Sequence, residues 1–122
     1  MSNTVSIQKM KKRDGRIVEF DPQRIAIAAG KALKAAGMGS DKVARHIADD
    51  VVRELVDKGY DDELQIPDVE VIQDLVEHAF VKRGLSQAAK LYILYRASHT
   101  KIREAKKLMM DVQELVSSYL GQ

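Results

Sequence analysis

Hydrophobic and polar residues alternate over a short N-terminal stretch and then recur with helical spacing to the end of the chain. Apolar residues at every second position predict a strand, whereas spacings of three and four predict an amphipathic helix. The alternating stretch is interrupted by Asp14-Gly15, a dipeptide typical of two-residue hairpin turns. The pattern therefore predicts a β-hairpin over residues 5–20. Its two faces are predicted to carry Val5, Ile7, Val18 and Phe20, and Met10, Lys12, Ile17 and Glu19.

The predicted hairpin turn is rich in cations. A two-residue turn would place Arg13 opposite Arg16, an arrangement that repels unless an anion lies nearby. Asp21 can cap the following helix, and Pro22 suits its first position. Because a helix N-terminus beside cationic side chains can hold phosphates, the stretch indicates an anion site. An ordinary solvated hairpin is the alternative interpretation.

Four helices follow from the apolar spacing and from the capping and stop signals around it. Their predicted ranges are 22–36, 41–58, 67–84 and 87–120. The predicted class is therefore α+β, mostly α: a small N-terminal β-hairpin cap on a four-helix bundle, with a long C-terminal helical extension. A two-stranded hairpin is barely stable alone, so one of its faces should lie on the helices.

The last predicted helix contains no proline or glycine from residue 87 to residue 120, and apolar spacing continues beyond Lys106. Two interpretations fit this tail. As one continuous helix, its last turns need a partner; with a bend near Lys106 or Lys107, it can fold back on the domain. The apolar positions concerned are Leu108, Met109, Val112, Leu115, Val116 and Tyr119.

Composition excludes several classes of protein. A chain of 122 residues can bury one core, and the absence of cysteine excludes disulfides and thiolate metal sites. The net charge of +2 is too small to indicate a general nucleic-acid binder. No apolar run reaches membrane-spanning length and no signal-peptide pattern opens the chain, which predicts a cytoplasmic protein without a membrane partner. His46, His78 and His99 lie on different predicted helices, so we expect no metal site.

Residues 12–18 (KRDGRIV), followed by Phe20-Asp21 and Arg24-Ile25, resemble the signature that opens ATP-cone domains. These are nucleotide-sensing modules at the N-termini of many ribonucleotide reductases. Residues 71–77 (VIQDLVE) and 89–96 (AKLYILYR) match the family further along, in the same order. The family fold so implied is a small β cap over a four-helix bundle, with the nucleotide bound between them.

The resemblance covers residues 6–103 and implies an ATP-cone domain over residues 1–106. Residues 107–122 are then a helical extension or linker toward a catalytic domain. Within it, residues 118–121 (SYLG) resemble the segment that joins the cone to the catalytic barrel in anaerobic ribonucleoside-triphosphate reductases. We therefore expect the chain to be the N-terminal piece of a longer reductase.

The resemblance implies an allosteric domain that binds ATP (activating) or dATP (inhibiting), accompanied by Mg²⁺, and does not hydrolyse it. Reductase active sites depend on cysteines, so this cysteine-free chain is expected to be regulatory and not itself an enzyme. Expected partners are the catalytic body of a reductase and, through the C-terminal helix, a second copy. One alternative is a stand-alone cone acting in trans as a nucleotide-dependent module. Another is a domain that keeps the fold and has lost the site.

The resemblance also implies phosphate ligands. Lys12 and Arg13 would neutralise the triphosphate, one as a point charge and the other as a planar donor fork. Arg24 stands where the family has a lysine that reaches the phosphates. Solvated roles for these three side chains are the alternative.

The remaining implied ligands face the base and the sugar. Met10 stands where the family places an apolar side chain over the base, and Gln73 can hydrogen-bond the base or ribose. Val18 replaces a glutamate found in some relatives, which removes any contact that this glutamate makes. Tyr92, Tyr95 and Arg96 share one side of the last helix and can reach the nucleotide. Packing roles for Met10 and the tyrosines, and a salt bridge for Arg96, are the alternatives.

Overall fold

The computed structural model describes residues 7–120, with the side chains of Val116 and residues 118–120 left out. Val5 and much of the 118–121 segment, on which predictions were made, lie outside that description. The elements in chain order are β1 (Lys9–Lys11), β2 (Ile17–Glu19), α1 (Pro22–Ala35), α2 (Asp41–Asp57), α3 (Val69–Lys82) and α4 (Ser86–Leu120). The predicted class, α+β and mostly α with a small N-terminal hairpin, is confirmed.

Helix starts follow the capping signals of the sequence. The Asp21 carboxylate accepts a hydrogen bond from the Gln23 backbone N–H at 3.0 Å, and Ser40 Oγ accepts one from Val43 at 3.2 Å. Asp68 does the same for Val71 at 3.0 Å, so α3 begins one residue later than Asp68. Each bond satisfies a backbone donor that has no partner inside its own helix. Of the two interpretations of the tail, the continuous helix is the one observed, since α4 runs unbroken to Leu120.

The chain divides into two compact units, Met1–Tyr92 and Ile93–Gln122, which we call the bundle unit and the extension unit. In the bundle unit, α1, α2 and α3 enclose a core whose largest fully buried side chains are Phe80, Leu33, Ile47, Leu55, Val51, Val76 and Pro67. Small residues let α1 and α2 approach closely: a Cβ on Gly30 would lie 3.7 Å from that of Ala44. The predicted boundary after residue 106, between a nucleotide-binding domain and its extension, is defined by function and stays a prediction.

The hairpin register differs from the prediction. Lys12 N–H donates to the Arg16 carbonyl at 2.8 Å and Gly15 N–H to the Lys12 carbonyl at 2.9 Å, so the loop has three residues, not two. Gly15 alone in this loop has a positive φ, +89°, as the third position of such a loop requires. The extra residue shifts the pairing by one and exchanges the faces.

Met10 consequently lies opposite Val18, both side chains are half-buried, and that of Met10 packs against the core. The prediction that set Met10 with Ile17 and Glu19, away from Val18, is therefore wrong. Ile7 and Phe20 are buried, as predicted. Ile17, opposite Lys11, is 52% exposed.

Candidate functional site

The tip of the hairpin is attached to the start of α3. Lys11 N–H donates to the Pro67 carbonyl at 2.9 Å, and Lys11 forms an isolated parallel bridge with Asp68, the N-cap of α3. These contacts place the cationic loop beside the first turn of α3. Helix N-termini carry a partial positive charge and favour anions.

Arg13 joins the loop to the side of α3. Its guanidinium forms an ion pair with the Glu70 carboxylate, and its second terminal nitrogen donates to Gln73 Oε1 at 3.3 Å. Glu70 and Gln73 lie three residues apart and so share one face of the helix. The structure thus brings together Arg13 and Gln73, two residues predicted separately as nucleotide ligands.

Glu70 is the member of this cluster that sequence reasoning missed. A signal was present, since Glu70 directly precedes the stretch 71–77 that carries the family match and lies one helical turn before Gln73. No role was predicted for Glu70, and a carboxylate by itself repels phosphate. In the structure its carboxylate is the ion-pair partner of Arg13.

Arg16 does not face Arg13 as the two-residue turn predicted. Its side chain lies 2.7 Å from Asp14 Oδ2, and its backbone N–H donates to Asp14 Oδ1 at 3.0 Å. The backbone hydrogen bond, followed by the side-chain bond, holds the pKa of the Asp14 carboxyl below its usual range. Arg16 is therefore already paired, while Lys12 is exposed and has no ion-pair partner among residues 7–120.

Arg24 lies in the first turn of α1, where its backbone N–H donates to the Asp21 carbonyl at 3.1 Å. Its side chain is exposed and has no ion-pair partner in the described part of the chain. Met10 packs against the core from the hairpin side, which agrees with its alternative packing role.

Tyr92 is buried, and its ring centroid lies 6.0 Å from that of Phe80 with the planes tilted by 50°. This contact supports a packing role in the bundle unit. In the extension unit, the Tyr95 ring lies 4.2 Å from that of His99, one turn further along α4. Arg96 is half-buried, and its carbonyl accepts a hydrogen bond from Thr100 Oγ1 at 3.1 Å.

Two clefts lie away from the hairpin tip. One, of about 530 Å³, is lined by Gln8, Lys9, Ile66 and the loop carrying Asp61, Asp62 and Glu63. Its carboxylates repel a triphosphate at short range, so we do not assign the nucleotide to it. The other, of about 1200 Å³, is an open groove between α1 and α2. Over residues 7–120 no group of His, Cys, Asp or Glu has the arrangement of a metal site.

A model of the family described as ATP cone domain matches residues 8–101. This range contains the hairpin, all of α1 to α3 and the first half of α4.

The chain belongs to the ATP-cone family.

Relatives of this ATP-cone are reductases of several kinds. It is 39% identical over 108 residues to the vitamin B12-dependent ribonucleoside-diphosphate reductase of Thermoplasma acidophilum, covering 84% of this chain and 13% of the relative. It is 32% identical over 113 residues to the ribonucleoside-diphosphate reductase subunit alpha of Chlamydia muridarum, covering 87% and 11%. It is 29% identical over 106 residues to the anaerobic ribonucleoside-triphosphate reductase of Haemophilus influenzae, covering 86% and 14%.

The chain thus spans between 11% and 14% of the length of these three relatives. The matched part is the regulatory cone, and the chain has no cysteine. ATP-cone domains bind ATP or dATP as effectors. Among the helices described for residues 7–120, none has the length and apolar character needed to cross a bilayer.

Proposed function

We propose that this chain is the allosteric domain of a ribonucleotide reductase. It binds ATP, which activates, or dATP, which inhibits, and hydrolyses neither. The observation that carries the proposal is the position of Arg13, which reaches from the cationic loop to Glu70 and Gln73 on α3. The family membership supports nucleotide binding in general, and this cluster supports a particular place for the phosphates.

Lys12 and Arg13 hold the triphosphate at the tip of the hairpin. Lys12 is exposed and unpaired within residues 7–120, so it needs no rearrangement to meet a phosphate. Arg13 is engaged by Glu70, so the phosphates must displace that carboxylate from the guanidinium. The positive end of α3 assists them. Mg²⁺, where it accompanies the nucleotide, is bound mainly by phosphate oxygens and water.

The exchange of partners at Arg13 couples binding to α3. An effector shifts a protein between two states only by its different affinity for them. Phosphate contacts are the same for ATP and dATP, so discrimination must come from groups near the ribose, among which we propose Gln73. We propose five further ligands, of which the first two also pack in the core: Met10, Tyr92, Arg24, Tyr95 and Arg96.

The partner of this regulatory domain is the catalytic body of a reductase, in the cytoplasm. A second candidate is a stand-alone cone that acts in trans. The observation that favours it is the row of exposed apolar side chains on the extension unit, which could serve as a docking handle. In both readings the nucleotide site is the same.

Calorimetry of the isolated chain with ATP, dATP and GTP in the presence of Mg²⁺ tests the proposal. We expect micromolar binding of ATP and dATP and much weaker binding of GTP. Ligand at a hundredfold excess over its dissociation constant should add about 2.7 kcal/mol of stability. The absence of both heat and thermal stabilisation would refute nucleotide binding.

A Glu70→Gln variant tests the proposed place of the phosphates. It removes the carboxylate that competes for Arg13, so ATP should bind several-fold more tightly. Glu19→Gln, on an exposed face of the hairpin, removes the same charge and is the control. Equal effects of both substitutions on ATP affinity would show only a general change in net charge.

A further inference from the structure

The extension unit exposes a face of α4 that is apolar except at Ser98. The large side chains Tyr95, Ile102, Met109 and Val112 are 40%, 49%, 64% and 50% exposed. Ser98 and Ala105 are exposed as well. Monomeric proteins rarely expose large contiguous apolar patches, so a row of large apolar side chains on the surface marks an interaction site.

These residues follow a heptad pattern. Positions 95, 98, 102, 105, 109, 112, 116 and 119 are separated alternately by three and four residues. Apolar residues at this spacing along a helix form the seam of a coiled coil. The pattern extends over more than three heptads, which is the length at which it becomes a meaningful signal.

The charge along the extension unit is divided between its halves. Residues 93–107 carry five Lys or Arg and one Glu, a net charge of +4, whereas residues 108–120 carry Asp111 and Glu114 and no cation, a net charge of −2. A second copy laid antiparallel therefore sets each basic half against an acidic half. A parallel copy sets the basic halves side by side.

We propose that α4 pairs with α4 of a second copy in an antiparallel coiled coil centred at Lys107. The heptad positions fit this arrangement without a gap: Ile102 faces Val112 of the second copy, and Ala105 faces Met109 of the second copy. With residues 95, 102, 109 and 116 at heptad position a and residues 98, 105, 112 and 119 at position d, an a residue faces a d residue in every layer.

The flanking positions also favour the antiparallel orientation. In a parallel pair, Lys101 of each copy would flank Lys106 of the other, giving two like-charge contacts. In the antiparallel pair Lys101 meets Leu115, and one like-charge contact remains, between the Lys106 side chains at the centre. Lys106 is exposed in each copy, so both ammonium groups at this contact stay solvated.

The mass of the full chain in solution tests the pairing. We expect a concentration-dependent dimer by light scattering or sedimentation. Met109→Glu places a carboxylate in the seam and should weaken the dimer by at least about tenfold. Met110→Glu is a matched control, because Met110 is 67% exposed and Met109 64%, but only Met109 occupies a seam position. Far-UV circular dichroism checks that both variants keep their helices.

A monomeric wild-type chain at every concentration would overturn the proposal and would assign the apolar face to another partner, such as a further part of a longer chain. If both substitutions weaken the dimer equally, the assignment of Met109 to the seam is wrong.

Cross-linking tests the orientation. The chain has no cysteine, so introduced thiols are the only ones present. An Ala105→Cys chain mixed with a tagged Met109→Cys chain should form a disulfide between the two, while each variant alone should form little. Efficient cross-linking of each variant with itself would mean that the helices are parallel and would overturn the antiparallel assignment.

Discussion

The bundle unit and the extension unit are both built from helices with apolar residues at the same spacing, yet they bury those residues to opposite extents. Leu55 in α2 is 0% exposed, and Leu115 in α4 is 70% exposed. Leu55 lies among three helices that cover one another, whereas Leu115 belongs to a stretch of α4 that exposes most of its large apolar residues. The comparison shows that periodicity predicts a helix and its apolar face, and says nothing about what covers that face.

The largest expected difference between the two units is in how the removal of positive charge affects ATP affinity. Lys12→Ala combined with Arg13→Ala should abolish ATP binding, because each charge-assisted contact contributes about 1.5–3 kcal/mol. Lys101→Ala combined with Arg103→Ala removes the same charge from the extension unit and should leave ATP affinity unchanged. Calorimetry measures the affinities, and circular dichroism the helical content. Normal binding by the hairpin double variant would mean that the phosphates lie elsewhere.

Truncating an apolar side chain should lower the free energy of unfolding much more in the bundle unit than in the extension unit. Leu55→Ala should lower the free energy of unfolding by about 2–5 kcal/mol, because it leaves a cavity in a closed core. Leu115→Ala should change it by less than about 0.5 kcal/mol in dilute protein, since the side chain already meets water. Urea unfolding measures both. A comparable loss from Leu115→Ala would show that the extension unit is packed in the monomer.

A smaller effect belongs to the ion pair between α2 and the end of α3. Arg83 Nε donates to Asp50 Oδ2 at 2.6 Å and its terminal nitrogen to Oδ1 at 3.0 Å. Arg83→Met should lower the free energy of unfolding by about 1 kcal/mol at neutral pH. Arg53, 3.5 Å from the same carboxylate and more exposed, gives the control: Arg53→Met should have less effect.

The Asp50–Arg83 pair also has a defined pH dependence. The hydrogen bond from Arg83, with its charge, holds the pKa of Asp50 below the usual value. Stability from a lowered carboxyl pKa is fully present above the unfolded value, about 3.9, and is lost as pH falls through the folded value. The difference between wild type and Arg83→Met should therefore shrink in acid. A difference in unfolding free energy that stays constant through this range would contradict the assignment.

The smallest expected change in affinity comes from removing residues 107–122. ATP binding should be unchanged, because every proposed ligand precedes residue 107. Self-association should be lost, because the shortened chain lacks Met109, Val112 and the acidic half of the heptad stretch. Calorimetry and light scattering of the two chains measure these outcomes. A shortened chain that no longer binds ATP would place the domain boundary beyond residue 106.

Local signals in the sequence were sufficient for the fold class and the helix starts. Asp21 and Ser40 cap α1 and α2 as the sequence predicts, because a cap acts on donors only two or three residues away. Asp68, predicted to lie in the first turn of the third helix, is instead its cap. The family match likewise rests on short stretches that the sequence displays directly. These features needed no knowledge of how the elements pack.

Only the tertiary structure decided the hairpin register, the partners of Arg13 and the exposure of α4. The loop took three residues instead of two, and that single difference exchanged the faces of β1. Arg13 meets Gln73, 60 residues away, through the contact of Lys11 with Pro67 at the start of α3. The physical reason is the same in each case: periodicity and capping act along one element, while register, ion pairing and burial depend on which elements come together.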